Sequence, residues 1–275
     1  MATQEPELVN TLEDGLRIIR FNRPKRKNAL STELIYGFQE ALEKSAEDPD
    51  TKIVVVTGTG DYFSSGNDMA NYSKGPVGSM SSGSMEMPST DEGKIAFLRK
   101  SGLDGFENFV ASIIKFPKPI VAVVNGPAVG VAVTMLPLFD VVYASDRATF
   151  QTPFVSLALS PEGCSSYLFP RIMGHGKAAE MLMFSRKITA TDAYQHGLVT
   201  EVFPDDSLQQ VWPRIREWAK LPPISMVNAK SAIKQLNTDM LLKVNHMEVD
   251  RLALQTTGEE FLEALMKFLT RKSKL

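Results

Sequence analysis

The chain alternates between short, densely apolar runs and longer stretches in which apolar residues return every three or four positions. Leu16 to Phe21 and Ile53 to Thr57 are β-branched and aromatic runs, closed by Asn22-Arg23-Pro24 and by Gly58, and both read as strands. Between them, Ser31 or Thr32 can cap a helix that carries Leu34, Ile35, Phe38, Ala41, Leu42 and Ala46 at helical spacing. The second strand shows no polar alternation, which a sheet covered on both faces requires. A further helix is expected from about Ile95 to Lys115, ended by Pro117 and Pro119. Ile120 to Val124 then reads as another buried strand, followed by the turn Asn125-Gly126-Pro127-Ala128-Val129-Gly130 and an apolar helix-like run from Val131 towards Phe139. Val141 to Ala144 and Thr149 to Gln151 are short strands, and Gly174 to Ser185 is a helix with Ala178, Ala179, Met181, Leu182 and Phe184 inward. After Asp205 the pattern is helical: Leu208 to Lys220, Ser225 to Leu236, Leu241 to Thr256 and Glu259 to Thr270. The result is an α/β core with a helical tail and no internal repeat.

Composition narrows the class. At 275 residues, 43% hydrophobic and 23% charged, the chain has the balance of a globular protein that can bury a core. A net charge of −2 argues against a nucleic-acid groove or a polybasic membrane patch. One cysteine, Cys164, excludes an internal disulfide, and His175, His196 and His246 are too scattered for zinc-type spacing, so no metal site is expected. Met1 to Asn10 holds no apolar run for a secretory signal, and no stretch approaches the ~20 apolar residues of a membrane span. Ser273-Lys274-Leu275 spells the tripeptide read by the peroxisomal import receptor, so the peroxisomal matrix is the expected compartment. Gly75 to Pro88 is too rich in Gly, Ser and Pro for a regular element, and reads either as a solvated insertion or as a lid over an acyl chain.

Chemistry could sit in three places. Phe63-Ser64-Ser65-Gly66-Asn67-Asp68 and Asn125-Gly126-Pro127-Ala128-Val129-Gly130-Val131 are glycine turns after apolar strands. Their glycines either only satisfy turn geometry or free backbone N–H groups, with a helix start near Gly130 that favours negative charge. Dinucleotide, Walker and serine-hydrolase loops do not match, because the required glycine, Gly-Lys and Gly-x-Ser-x-Gly spacings are missing. Glu162 is the only charge between Gln151 and Phe169. It either ends a helix on the surface or lies in apolar surroundings that raise its pKa and make it a proton acceptor near neutrality. Cys164 near His175 reads as a buried, inert thiol rather than a nucleophile. Lys25-Arg26-Lys27 is either a solvated loop or a contact for substrate phosphates.

Taken together, several segments resemble the crotonase, or enoyl-CoA hydratase/isomerase, family over about residues 10 to 270. They are Phe21-Asn22-Arg23-Pro24 with Asn28-Ala29-Leu30, Phe63 to Asp68, Val124 to Gly130, Asp140 with Val142-Tyr143-Ala144, and Gly197-Leu198-Val199. The resemblance implies an α/β spiral of ββα units, with a core over 8–206 and a helical C-terminal trimerisation region over 207–272, before the targeting tripeptide 273–275. It implies acyl-CoA thioester substrates, a homotrimer or hexamer, and no cofactor beyond the CoA of the substrate. The oxyanion hole would be the backbone N–H groups of Asn67 and Val131. Ser64, Ser65, Gly66, Asn67 and Asp68 would touch CoA, with Lys25 on a phosphate. Positions that hold two glutamates in hydratases look like Thr134 and Phe154 here, whereas Ser160-Pro161-Glu162-Gly163-Cys164 looks like the single-base group of peroxisomal Δ3,Δ2-enoyl-CoA isomerases. The implied reaction moves the double bond of a 3-enoyl-CoA to the 2-position in unsaturated fatty acid β-oxidation, with Glu162 as base. Another one-acid reaction of the fold, such as hydration, or a catalytically silent CoA-binding member, is the alternative. Some peroxisomal isomerases carry an N-terminal acyl-CoA-binding module, and this chain starts almost at the fold.

Overall fold

The computed structural model describes residues 5–69 and 87–272. Most of the Gly75–Pro88 segment, and the Ser273-Lys274-Leu275 tripeptide, lie outside the described residues.

Strand β1 (Leu8–Glu13), which has no strong apolar pattern, forms an antiparallel edge on β2 (Leu16–Phe21). Ser31 caps helix α1 (Thr32–Glu47), its hydroxyl accepting from the Leu34 N–H at 3.1 Å, and α1 returns the chain to β3 (Ile53–Gly58), parallel to β2. Helix α2 (Asp91–Leu98), a π-helical segment (Arg99–Leu103) and α3 (Asp104–Lys115) then precede β4 (Ile120–Val124). The expected single helix from Ile95 is therefore broken. Gly102 takes φ 142°, a conformation open to glycine, and the Arg99 guanidinium pairs with Asp104, Glu107 and Asp250 across the break.

Beyond β4 come β5 (Ala128–Val129), the short α4 (Val131–Thr134), β6 (Val141–Ser145) and β7 (Thr149–Gln151). The apolar run from Val131 makes one turn of α-helix and then a 3₁₀ turn over Leu136–Leu138, because Pro137 cannot continue the helical ladder. Helices α5 (Ser165–Met173) and α6 (His175–Leu182), strand β8 (Ile188–Thr189), helix α7 (Ala190–Gln195), strand β9 (Glu201–Phe203) and α8 (Val211–Trp218) follow. The strands form a six-stranded sheet ordered β1-β2-β3-β4-β6-β9, parallel from β2 onwards, and a small sheet ordered β5-β7-β8.

Alternation along the strands splits the core in two. Ile19, Phe21, Val54, Val56, Ile120 and Ala122 face the large cluster with α1 and α3. Leu16, Ile18, Ile53, Val55, Val121 and Val123 face the smaller one with Val211 and Ile215 of α8. The chain ends in α9 (Pro223–Gln255) and α10 (Glu259–Lys272). Two helices expected over Ser225–Leu236 and Leu241–Thr256 are in fact one of 33 residues. The Asn237-Thr238-Asp239 step between them lowers helix propensity without breaking the backbone ladder, since it holds neither glycine nor proline.

Candidate active site

The parallel order of β3 and β4 makes both glycine turns leave the same edge of the sheet. They are laced together: the Phe63 N–H donates to the Pro127 carbonyl at 3.2 Å, and the Val129 N–H to the Ser64 carbonyl at 3.0 Å. Two asparagines act as braces. Asn28 donates to the carbonyls of Thr59 and Tyr62 at 2.9 and 2.7 Å, while Asn125 accepts from the Gly58 N–H at 3.0 Å and donates to the Gly60 carbonyl at 2.7 Å. At Gly66, φ is 80° and a Cβ would overlap the Val129 carbonyl oxygen, so only glycine lets the turns come this close. The Gly66 carbonyl accepts from the Leu30 N–H at 2.8 Å. Across the same trans peptide, the Asn67 N–H therefore points to the opposite side. The Val131 N–H belongs to the first turn of α4, where no intrahelical acceptor exists.

Glu162 sits between the 3₁₀ turn Val155–Leu157 and α5, and it is 5% exposed. Its backbone carbonyl receives the Ser165 hydroxyl at 2.7 Å. Thr134 of α4 donates to its Oε1 at 3.1 Å, and its Oε2 is buried with no hydrogen-bond partner among the described residues. Gly163 and Cys164 follow with φ of 66° and 64°. A Cβ on Gly163 would overlap the Thr134 hydroxyl, so this glycine permits the Thr134–Glu162 contact. Burial, reinforced by the negative charge of Glu248 and opposed by the Thr134 hydrogen bond, pushes the Glu162 pKa up to about 8.

These parts meet in one cavity of about 720 Å³. Ser65, Gly66, Asn67, Asp68, Val131 and Glu162 line it, together with Phe154. Leu98, Leu103, Phe106, Leu157, Leu159 and Leu252 make an apolar wall. Ser64 is not in the lining: it is fully buried behind the turn, donating to the Asn28 carbonyl at 2.7 Å and accepting from the Gly66 N–H at 3.1 Å. Nor is Lys25, which is exposed on the 3₁₀ turn Pro24–Arg26. Arg23 of the neighbouring motif does line it, ion-paired to Asp68 at 3.0 Å and Glu7 at 2.9 Å. The Cys164 thiol is buried, donates to the Leu241 carbonyl at 3.3 Å and has its pKa raised by burial, which leaves it protonated.

Sequence reasoning missed Glu248. The signal was present, since Asn245, Glu248, Val249, Leu252 and Ala253 form the buried stripe of α9 and a carboxylate on such a stripe calls for a reason. The π segment was also missed; it adds Lys100, Ser101, Gly102 and Leu103 to the cavity wall.

A buried base with raised pKa, apolar walls and nearby peptide N–H groups suits removal of a proton from carbon next to a polarised carbonyl. The comparisons agree with that geometry. The family model described as enoyl-CoA hydratase/isomerase matches residues 11–274. Enoyl-CoA delta isomerase 2 of Homo sapiens is 48% identical over 269 residues, covering 98% of this chain and 64% of the relative, so the chain spans less than two thirds of that protein's length. Enoyl-CoA delta isomerase 3, peroxisomal, of Mus musculus is 44% identical, covering 99% of this chain and 81% of the relative. The crystal structure of an enoyl-CoA hydratase/isomerase from Pseudoalteromonas atlantica T6c matches with a TM-score of 0.83 at 32% identity, covering 97% of this chain and 98% of that one. On the extent of these matches and the shared fold, the chain belongs to the enoyl-CoA hydratase/isomerase family.

Proposed function

We propose that this chain is a Δ3,Δ2-enoyl-CoA isomerase, converting 3-enoyl-CoA to trans-2-enoyl-CoA with Glu162 as its one base. The observation that carries the reading is the state of Glu162: the only buried carboxylate among the described residues lining the cavity, with one oxygen held by Thr134 and the other unpartnered. C2 of a 3-enoyl-CoA lies between thioester and double bond, so its proton is acidic. Ionised Glu162 takes that proton, the negative charge spreads onto the thioester oxygen, and the N–H groups of Asn67 and Val131 stabilise it there; such a donor contributes roughly 3 kcal/mol in a transition state. The same carboxyl then returns the proton at C4. Hydration needs a second acid or base to handle water, and Thr134 and Phe154 offer none, while the buried Phe154 ring keeps water from the intermediate.

In this reading the Ser65–Asp68 turn contacts the CoA moiety and Ser64 holds that turn from behind. Lys25 is retained as a phosphate contact on the exposed Pro24–Arg26 turn. The named location of the mouse relative and the Ser273-Lys274-Leu275 ending support import into the peroxisomal matrix. Exposed Ile233 and Leu236 on α9 support assembly into a homotrimer or hexamer, as does Phe184, which was expected to face inward on a helix but lies 74% exposed in the turn after α6.

The test is direct. Incubated with 3-hexenoyl-CoA, the protein produces the ultraviolet absorbance of the conjugated 2-enoyl thioester. Glu162→Gln lowers that signal to about a thousandth of the wild-type rate or less while still binding CoA, on the order expected for loss of an essential proton acceptor. An unchanged rate in this variant removes the assignment.

A further inference from the structure

Helix α9 grips the segment that carries Glu162 at two places. The Gln255 side chain accepts from the Ser160 N–H at 2.8 Å, and further back along the helix Glu248 reaches the start of α5. Glu248 Oε2 accepts from the Cys164 N–H at 2.6 Å, and Oε1 accepts from the Ser166 N–H at 3.1 Å and from the Ser166 hydroxyl at 2.5 Å. A 6% exposed carboxylate is thus bound by the first turn of a nine-residue helix, two residues past the base. The turn between them is strained, with Gly163 and Cys164 both left-handed, and a non-glycine residue holds that conformation only when its surroundings over-determine it. The Glu248 bond to the Cys164 N–H supplies one such constraint.

We propose that Glu248 is a positioning residue for Glu162: it clamps the Glu162–Ser166 turn to α9 and places a second negative charge behind the base. Two effects follow. The clamp fixes the side-chain direction of Glu162 against Thr134. The charge makes ionisation of Glu162 less favourable, so that when Glu162 does ionise it is a stronger proton acceptor than an ordinary carboxylate. The charged and titratable groups acting on the pair are few. Glu248 is the charge acting on Glu162, and on Glu248 itself burial raises the pKa while the Ser166 and Cys164 donors and the Arg251 guanidinium of α9 lower it. Cys164, between them, stays a neutral thiol.

The proposal rests on the isomerase reading only for its kinetic consequence, so its test has a second readout. Protein labelled with 13C at glutamate carboxyls is titrated, with the Glu162 signal identified by its loss in Glu162→Gln. In wild type the midpoint lies near 8. In Glu248→Gln, which keeps size but removes the charge, the midpoint falls by roughly one pH unit. The acid limb of the isomerisation rate moves down with it, and kcat on the alkaline plateau drops severalfold while KM stays the same. Glu248→Asp keeps the charge but shortens the reach: the midpoint stays near that of wild type and kcat falls. Coincident midpoints in wild type and Glu248→Gln overturn the charge part, and undiminished kcat in Glu248→Asp overturns the clamp; the second result decides even if the first variant does not fold. If wild type shows no isomerisation but the midpoints differ as stated, the isomerase reading fails and the charge part of the Glu248 assignment stands.

Discussion

In the proposed reaction Glu162 is the base because of where it is held, and that placement has a thermodynamic cost that can be measured. Its pKa is raised from the ordinary carboxylate range to about 8, chiefly by burial. Between about pH 4.5 and 8 the native protein therefore binds a proton that the unfolded chain has already released, so stability contributed by the neutral form is lost as pH rises through this window and the loss is complete above it. Glu162→Gln, which cannot ionise, escapes the loss. Its melting temperature exceeds that of wild type by more at pH 8.5 than at pH 5, by a difference worth a few kcal/mol, and equal differences at both pH values would contradict the buried placement. The same shift puts the acid limb of catalysis near the top of the neutral range, since only the ionised form accepts a proton.

At the scale of elements, the site is made by two turns that must touch. The close approach at Gly66 is a backbone contact that no side chain can relieve by rotating. Gly66→Ala puts a Cβ into the Val129 carbonyl and asks alanine to adopt φ 80°, so it destabilises the protein by roughly 1–3 kcal/mol. Because the displaced segment carries the Asn67 N–H, kcat falls by more than tenfold, whereas the affinity for free CoA changes far less. Thermal melting and steady-state kinetics on the one variant check both parts. The turns were legible in the sequence because glycine and asparagine announce tight geometry, and so were β2, β3 and β4, whose short β-branched apolar runs fit strands buried on both faces. The π segment was not legible. It depends on Arg99 finding Asp250, 151 residues away, and local periodicity carries no trace of such a partner.

Across the whole molecule, α9 ties the tail to the sheet and the sheet to the site. Near its start, Lys230, buried except for a small part of its side chain, donates to the Lys118 carbonyl at 2.6 Å and pairs with Asp140 at 3.0 Å. Lys234 pairs with the other Asp140 oxygen at 2.8 Å. Asp140 in turn accepts from the Ile120 N–H at 2.7 Å, so one carboxylate joins β4 to the helix. Near the other end of α9, Glu248 and Gln255 hold the Glu162 segment. Asp140→Ala leaves the buried Lys230 ammonium without its counter-charge and destabilises the protein by roughly 3 kcal/mol in denaturant unfolding. Loss of less than a few tenths of a kcal/mol would show that α9 is held by packing alone.

The sequence by itself determined strands β2, β3, β4, β6 and β7, the two glycine turns and the family, and it singled out Glu162 as a candidate, because each is written in residues close together along the chain. Whether Glu162 lay at a surface helix end or in apolar surroundings could not be read there, since its environment belongs to neighbours that arrive from elsewhere: Thr134 from α4 and Glu248 from α9. Only folding buries Glu162 and brings the charge of Glu248 close enough to act on it. The proton affinity of Glu162 depends on that burial and that charge, and a linear reading of the chain contains no distance from which to infer either.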